Sequence, residues 1–250
     1  MKKLVVANFK MNPSTIKEAK KLSESAKKTA RRYKKVDVVL CPSCVHLPVL
    51  ALKKQKTIAF GAQNVSFEKE GAFTGEVSAE MVKDSGASFV IVGHSERRAM
   101  GESTADMLKK IEVILKQKMT PIICIGEKSR DNEGVFLDEL EGEIKEVVCG
   151  LPQAAVKRCV IAYEPLWAIG KKEAITGRKL YEIVLFIRKV LSDLYNRQTA
   201  FRVPVLYGGS VTEENAEQIF VEGEVQGFLV GRASVDAKKF GDIIRIVNEV

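Results

Sequence analysis

Short, apolar, β-branched runs alternate with helix-patterned stretches eight times along this chain, and few architectures accept that rhythm. The runs predict strands over residues 4–8, 36–41, 57–63, 89–93, 120–126, 159–164, 203–207 and 227–231. Between them, helical spacing predicts helices that include residues 14–32, 104–118, 135–148, 178–196, 213–220 and 237–248. Strands with near-continuous apolar faces, separated by helices, belong in a parallel sheet covered on both sides. That is an α/β protein. Eight such units in 250 residues match the size of a closed (β/α)8 barrel. A doubly wound open sheet is the alternative, but no GxGxxG follows the first strand. Linkers and low-complexity stretches are lacking, so residues 1–250 are expected to form a single domain.

Composition narrows the function classes. With 46% hydrophobic and 29% charged residues, a chain of this length buries roughly 70–75% of its unfolded surface in one sizeable core. No run approaches ~18 consecutive apolar residues, so no membrane span is expected. The opening Met1-Lys2-Lys3, followed at once by a strand, lacks the length of a signal peptide. Five cysteines, an odd number without framework spacing, point to reduced thiols and a cytoplasmic setting. Cys41-Pro42-Ser43-Cys44, with His46 close by, spells a dithiol or half of a zinc site. No second CxxC accompanies it, so these read as reduced thiols near a strand end rather than a metal or dithiol site. The net charge of +8 is densest over residues 27–35. That stretch continues an amphipathic helix (Ile16, Ala19, Leu22, Ala26) almost free of aromatics, so it reads as a solvated helix end rather than a nucleic-acid surface. The charge as a whole favours approach of a small anion.

In such a barrel, active sites lie at the C-terminal ends of the strands. The unusual residues fall there. Strand six runs into Ala162-Tyr163-Glu164-Pro165-Leu166-Trp167-Ala168-Ile169-Gly170, with a carboxylate at its end and a proline that stops the ladder. An apolar loop beside a carboxylate suggests a lid, which excludes water and raises the basicity of the acid it covers. Strand one ends Asn8-Phe9-Lys10-Met11-Asn12, with Asn8 and Lys10 on one side by the two-residue period. Strand four ends Gly93-His94-Ser95-Glu96-Arg97-Arg98, strand seven Tyr207-Gly208-Gly209-Ser210-Val211, and strand eight Val230-Gly231-Arg232-Ala233-Ser234. At the last two, backbone N–H groups can converge on an anion where glycine permits close approach.

These strand-end motifs, together with Gly61-Ala62-Gln63-Asn64, Gly71-Ala72-Phe73-Thr74-Gly75-Glu76 and Cys124-Ile125-Gly126-Glu127, follow one another through nearly the whole chain. On them the sequence resembles the triosephosphate isomerase family. The resemblance implies a TIM barrel that interconverts dihydroxyacetone phosphate and D-glyceraldehyde 3-phosphate through an enediol(ate), in glycolysis and gluconeogenesis, without metal or organic cofactor. It implies Glu164 as the base and His94 as the electrophile that hydrogen-bonds the substrate carbonyl, a task matched by a neutral imidazole. Lys10 would set positive charge against the developing oxyanion and the phosphate. Asn8 would donate to a substrate oxygen, and Gly170, Ser210, Gly231 and Arg232 would bind the phosphate.

Two departures from the family pattern stand out. Family members commonly show two adjacent glycines where this chain has Gly231-Arg232. The N–H of Arg232 survives, and its side chain either points away or adds a charge. After Gly170 the family usually continues Thr-Gly-Lys-Thr-Ala, whereas this chain reads Lys171-Lys172-Glu173-Ala174-Ile175, which alters the lid tip. A third expectation concerns assembly. The segment 64–78 is long for a βα loop and carries Val65, Phe67, Phe73 and Thr74. Phe67 and Phe73, left exposed, would form an apolar patch of the kind that marks an interface. The resemblance supplies a second copy as partner, with the tip at Thr74 docking near Met11-Asn12 and Glu96-Arg97 to give a homodimer. The rivals are a loop folded over its own barrel and a higher oligomer. Two other readings of the whole chain are a different phosphate-binding barrel enzyme and a non-catalytic relative. Neither requires Asn8, Lys10, His94 and Glu164 together.

Overall fold

In the computed structural model, which describes residues 3–51, 57–131, 133–168 and 175–250, parallel strands close into a barrel in chain order. The strands are β1 (Lys3–Asn8), β2 (Val36–Cys41), β3 (Ala59–Ala62), β4 (Phe89–Val92), β5 (Thr120–Ile125), β6 (Val160–Tyr163), β7 (Val205–Tyr207) and β8 (Gly227–Val230). The helices in the first half are α1 (Ile16–Arg32), α2 (Leu47–Ala51), α3 (Ala79–Asp84), α4 (Ser95–Ala99) and α5 (Thr104–Lys116). Those in the second are α6 (Val135–Val148), α7 (Gln153–Val156), α8 (Gly177–Leu194), α9 (Arg197–Arg202), α10 (Ala216–Glu222) and α11 (Ala237–Glu249). This is the TIM barrel. Closure comes from pairing of β1 with β8, for example Val6 opposite Leu229.

The helices begin where side chains satisfy their first N–H groups. Thr15 accepts from Glu18 N–H at the start of α1, and Ser103 with Asp106 forms a reciprocal capping box on α5. The expected β7 loses its first two residues because Pro204 has no N–H to donate. Its carbonyl still accepts from Ile161, while Val205 N–H turns to the Gln226 side chain. The short helices α2, α3, α4, α7 and α9 are too brief for hydrophobic periodicity to reveal.

Alternate residues of each strand face two different cores. Leu4, Val6, Val39, Cys41, Ile91, Ile122, Cys124, Val160, Ala162, Leu206 and Leu229 fill the barrel interior. Their neighbours, such as Val5, Ala7, Val38, Leu40, Val90 and Ile123, pack under the helices. The interior parity aims Asn8, at the end of β1, and Glu164, Gly208 and Gly231, one step past β6, β7 and β8, into the barrel mouth.

The two cysteines of the CxxC are free thiols in different environments. Cys41 is buried with its Sγ against Gly61, and Cys44 is exposed. Among the described residues no cluster of three His, Cys, Asp or Glu side chains could hold a metal. No helix among them is long and apolar enough to cross a membrane. The loop 64–78 is pinned at its base by a Ser66–Ser78 bridge, and residues 69–76 are all exposed. It does not fold over its own barrel. Phe73 is exposed as expected, whereas Phe67 is half-buried with Lys109 Nζ stacked 4.8 Å from its ring. The cation covers that ring.

Candidate active site

Glu164 follows the interior face of β6 and is only 1% exposed. Its backbone is anchored by a 2.7 Å hydrogen bond from its N–H to Ile125 O. A Cβ on Gly208 would lie 2.7 Å from Glu164 Cγ, so only glycine leaves the side chain this path. The carboxylate is met from β4. Oε2 accepts the Ser95 N–H at 3.2 Å, and Oε1 lies 3.5 Å from His94 Nε2. Cys124, on β5, lies near it. Burial, reinforced by the Glu164 charge, pushes that thiol well above its ordinary pKa, so it stays a donor.

His94 reaches the mouth by a different route. Ile91 faces the barrel interior, so strand parity would send His94 outward among the helices. Gly93 breaks the parity with φ +71°, a conformation that disfavours any side chain. His94 then caps α4, its Nδ1 accepting the Glu96 N–H at 3.2 Å. An accepting Nδ1 leaves the ring proton of the neutral imidazole on Nε2, the nitrogen that faces Glu164. The carboxylate and this N–H donor are therefore neighbours.

A buried carboxylate supports this turn. Glu102 accepts from Gly93 N–H at 3.3 Å and from Arg97 Nε at 3.4 Å, and pairs with Lys110 Nζ at 3.1 Å. Lys110 also donates to Asn64 Oδ1 at 2.9 Å, joining the base of the 64–78 loop to the turn that carries His94.

Lys10 takes a left-handed φ of 52°, costly for a lysine, and three groups hold it there. Its N–H donates to Asn8 Oδ1 at 3.0 Å, its carbonyl accepts from Gln63 Nε2 at 2.9 Å, and its Nζ pairs with Glu96 Oε1 at 2.6 Å. With its oxygen occupied, Asn8 offers its NH2 as the remaining arm. A Cβ on Gly231 would sit 3.3 Å from Lys10 Cε and 3.8 Å from its Nζ, so the ammonium borders the glycine after β8. The 3-10 turn Arg232–Val235 is tied to β1 by Ser234 Oγ donating to Asn8 O at 3.0 Å. Arg232 is exposed at the start of that turn, directly after Gly231. Ser210 follows β7, with its carbonyl accepting from Asn215 Nδ2 at 3.0 Å. Gly170, Lys171, Lys172 and Glu173 lie outside the described residues.

The segment that follows β6 rests on Glu127. One oxygen of this buried carboxylate accepts from Trp167 Nε1 at 2.8 Å, Tyr163 Oη at 2.8 Å and Arg130 Nε at 3.0 Å. Burial raises the Tyr207 phenol to about 12, so it too remains a neutral donor beneath the mouth.

A family model described as triosephosphate isomerase matches residues 3–247. The chain belongs to the triosephosphate isomerase family. Curated relatives named triosephosphate isomerase include one from Dictyoglomus turgidum, 37% identical over 247 residues that cover 98% of this chain and 99% of the relative. One from Clostridium botulinum is 39% identical over 244 residues, covering 96% and 98%. One from Dehalococcoides mccartyi is 39% identical over 249 residues, covering 98% and 96%. The chain is accordingly an enzyme, an isomerase of that family.

Asn8, Lys10, His94, Glu164 and Gly231, named from the sequence, converge on one barrel mouth. Sequence reasoning on this member of the triosephosphate isomerase family gave no role to Gln63, Glu102 or Glu127. Gln63 and Glu127 stand inside motifs that carried the resemblance, which was a usable signal. Glu102 had none, because an acid before a helix looks the same whether it faces solvent or a backbone N–H.

Proposed function

We propose that this chain interconverts dihydroxyacetone phosphate and D-glyceraldehyde 3-phosphate as a single catalytic domain. The observation that carries the reading is the pairing of a buried carboxylate with an imidazole Nε2 donor 3.5 Å away, beside a lysine ammonium. Glu164 removes a proton from carbon 1 of the ketose while His94 Nε2–H hydrogen-bonds the carbonyl oxygen. The negative charge that develops on oxygen is met by that proton and by Lys10. Transfer of the hydroxyl proton from oxygen 1 to oxygen 2, with return of the other proton from Glu164 to carbon 2, gives the aldose phosphate. The N–H groups of Ser210, Gly231, Arg232 and the lid's Gly170 hold the phosphate. Substrate binding displaces Glu164 from its contact with His94, since the reacting carbons must sit between the two. Closure of the apolar lid then excludes water from the enediolate. Reduced cysteines suit a cytoplasmic setting. A coupled assay of triose phosphate interconversion, run with and without chelator, tests the activity; no turnover in either condition would remove it.

Lys10 acts on ground state and transition state together. Removing one charge at about 4 Å from an anion costs between about 1 kcal/mol in water and about 4 kcal/mol at an effective dielectric of 20. Lys10→Met is therefore expected to weaken inhibition by inorganic phosphate roughly tenfold and to lower kcat as well. Unchanged phosphate inhibition would take Lys10 out of the site.

The chain assembles as a homodimer through residues 64–78. The exposed tip stands over an open cavity of about 400 Å³ whose lining includes Phe73, Arg97 and Met100. Phe73 and Met100, which line that cavity together, are both exposed, as are Met11, Val45 and Met81. Thr74→Arg is expected to yield monomers by light scattering and to reduce activity, because Lys10 and the Glu96–Arg97 turn lose their outer support. A fully active parent monomer at nanomolar concentration would defeat this, and a tetramer would show a further contact surface.

A further inference from the structure

Resting on the isomerase reading above, we propose that Glu143 is a positioning residue that sets the separation of base and electrophile by tying the end of β5 to the helix that follows His94. Glu143 belongs to α6, outside the barrel, yet its side chain is only 12% exposed. Its two oxygens serve two different walls of the active site. Oε2 accepts the Gly126 N–H at 3.0 Å, and Oε1 pairs with Arg98 Nη1.

Each partner leads directly to a reacting group. Arg98 sits one helical turn after His94 and donates its own N–H to His94 O at 3.0 Å. Gly126 presses on the base: a Cβ there would come within 2.0 Å of Glu164 O, and the preceding Ile125 O holds Glu164 N–H. The path from electrophile to base thus runs from His94 through Arg98, Glu143 and Gly126 to Glu164.

The site bears the signs of a tie rather than of a stabilising surface pair. Among the described residues the Nε and Nη2 groups of Arg98 are buried without acceptors, and Glu143 is the carboxylate that pairs with this guanidinium. Burial pushes the Glu143 carboxyl above its ordinary pKa, against the pull of Arg98. A buried charge pair in such surroundings adds little stability over apolar packing of the same volume. Its value lies in geometry: two acceptor directions fixed in one rigid group.

Glu143→Ala removes both links, while Glu143→Gln keeps an acceptor for Gly126 and loses the charge facing Arg98. We expect kcat to fall about tenfold in Glu143→Ala and about threefold in Glu143→Gln, with KM within twofold of the parent. A small misplacement of reacting groups acts on the transition state, whereas the phosphate-binding turns after β7 and β8 are untouched. Melting temperatures of both variants report any structural effect separately, and if Glu143→Ala does not fold, Glu143→Gln decides alone. Parental kcat in the folded variants, even at a lowered Tm, would reduce Glu143 to a structural pair and overturn the proposal. A KM that rises as kcat falls would overturn it too, by moving the effect to binding. A parent inactive on triose phosphates removes the isomerase reading and this role with it; an active parent with unaffected variants removes only the role.

Discussion

Glu164→Asp is expected to fold normally and to lose about 100-fold in kcat, because shortening the side chain retracts the carboxylate by about 1 Å. The surroundings forbid recovery by a backbone shift. Glu164 N–H is held by Ile125 O at 2.7 Å, and Gly126 and Gly208 pack against its backbone and Cγ with no room for a Cβ. A shorter acid would remain anchored at the same Cα and fall short of the substrate carbon. It would also pull away from Ser95 N–H, now 3.2 Å from Oε2, leaving that donor to water or substrate. Kinetics with triose phosphates, read beside a thermal melt, separate this from unfolding. Near-parental kcat in a folded Glu164→Asp would remove Glu164 as the base.

Much of this arrangement was legible because strands have a period of two. Leu4 and Val6 point inward, so Asn8 does; Val160 and Ala162 point inward, so Glu164 does. Eight apolar runs between helical stretches were enough to predict the closed barrel. Lys10 and His94 are different. Lys10 has left its strand with φ 52°, and His94 is turned inward by Gly93 at φ +71°, against the parity of β4. Only the family motif gave His94 its place at the mouth, and the two-residue period that set Lys10 beside Asn8 no longer holds at Lys10, whose backbone has left the strand.

Glu102 and Glu143 escaped for another reason. Along α6, Glu143 stands among Glu139, Glu141 and Glu146, and local pattern gives it the look of a solvated acid. What distinguishes it is Gly126, a residue 17 positions earlier, and Arg98, 45 positions earlier. Contacts between elements so separated depend on the finished barrel. The loop 64–78 was intermediate: its apolar tip was readable, but the covering of Phe67 by Lys109 of α5 was not.

His94→Asn is expected to keep the fold and lose about 10²–10³ in kcat, the scale for removal of one preorganised oxyanion donor. The substitution separates two jobs that one imidazole performs. As the cap of α4, His94 accepts the Glu96 N–H through Nδ1. Asparagine is among the strongest N-caps, and its side-chain oxygen takes over that bond. A residual capping difference of about 1 kcal/mol would move Tm by about 2–4 °C in a chain of this size. The second job is lost altogether, because asparagine has no group where Nε2 carries its proton. Glu164 would still be present to take a proton from carbon, but the charge passing to oxygen would find only Lys10. Since that charge exists chiefly in the transition state, kcat should fall far more than KM changes. A folded His94→Asn with kcat within tenfold of the parent would mean that the Nε2 proton is not the electrophile, leaving Lys10 to carry the developing charge.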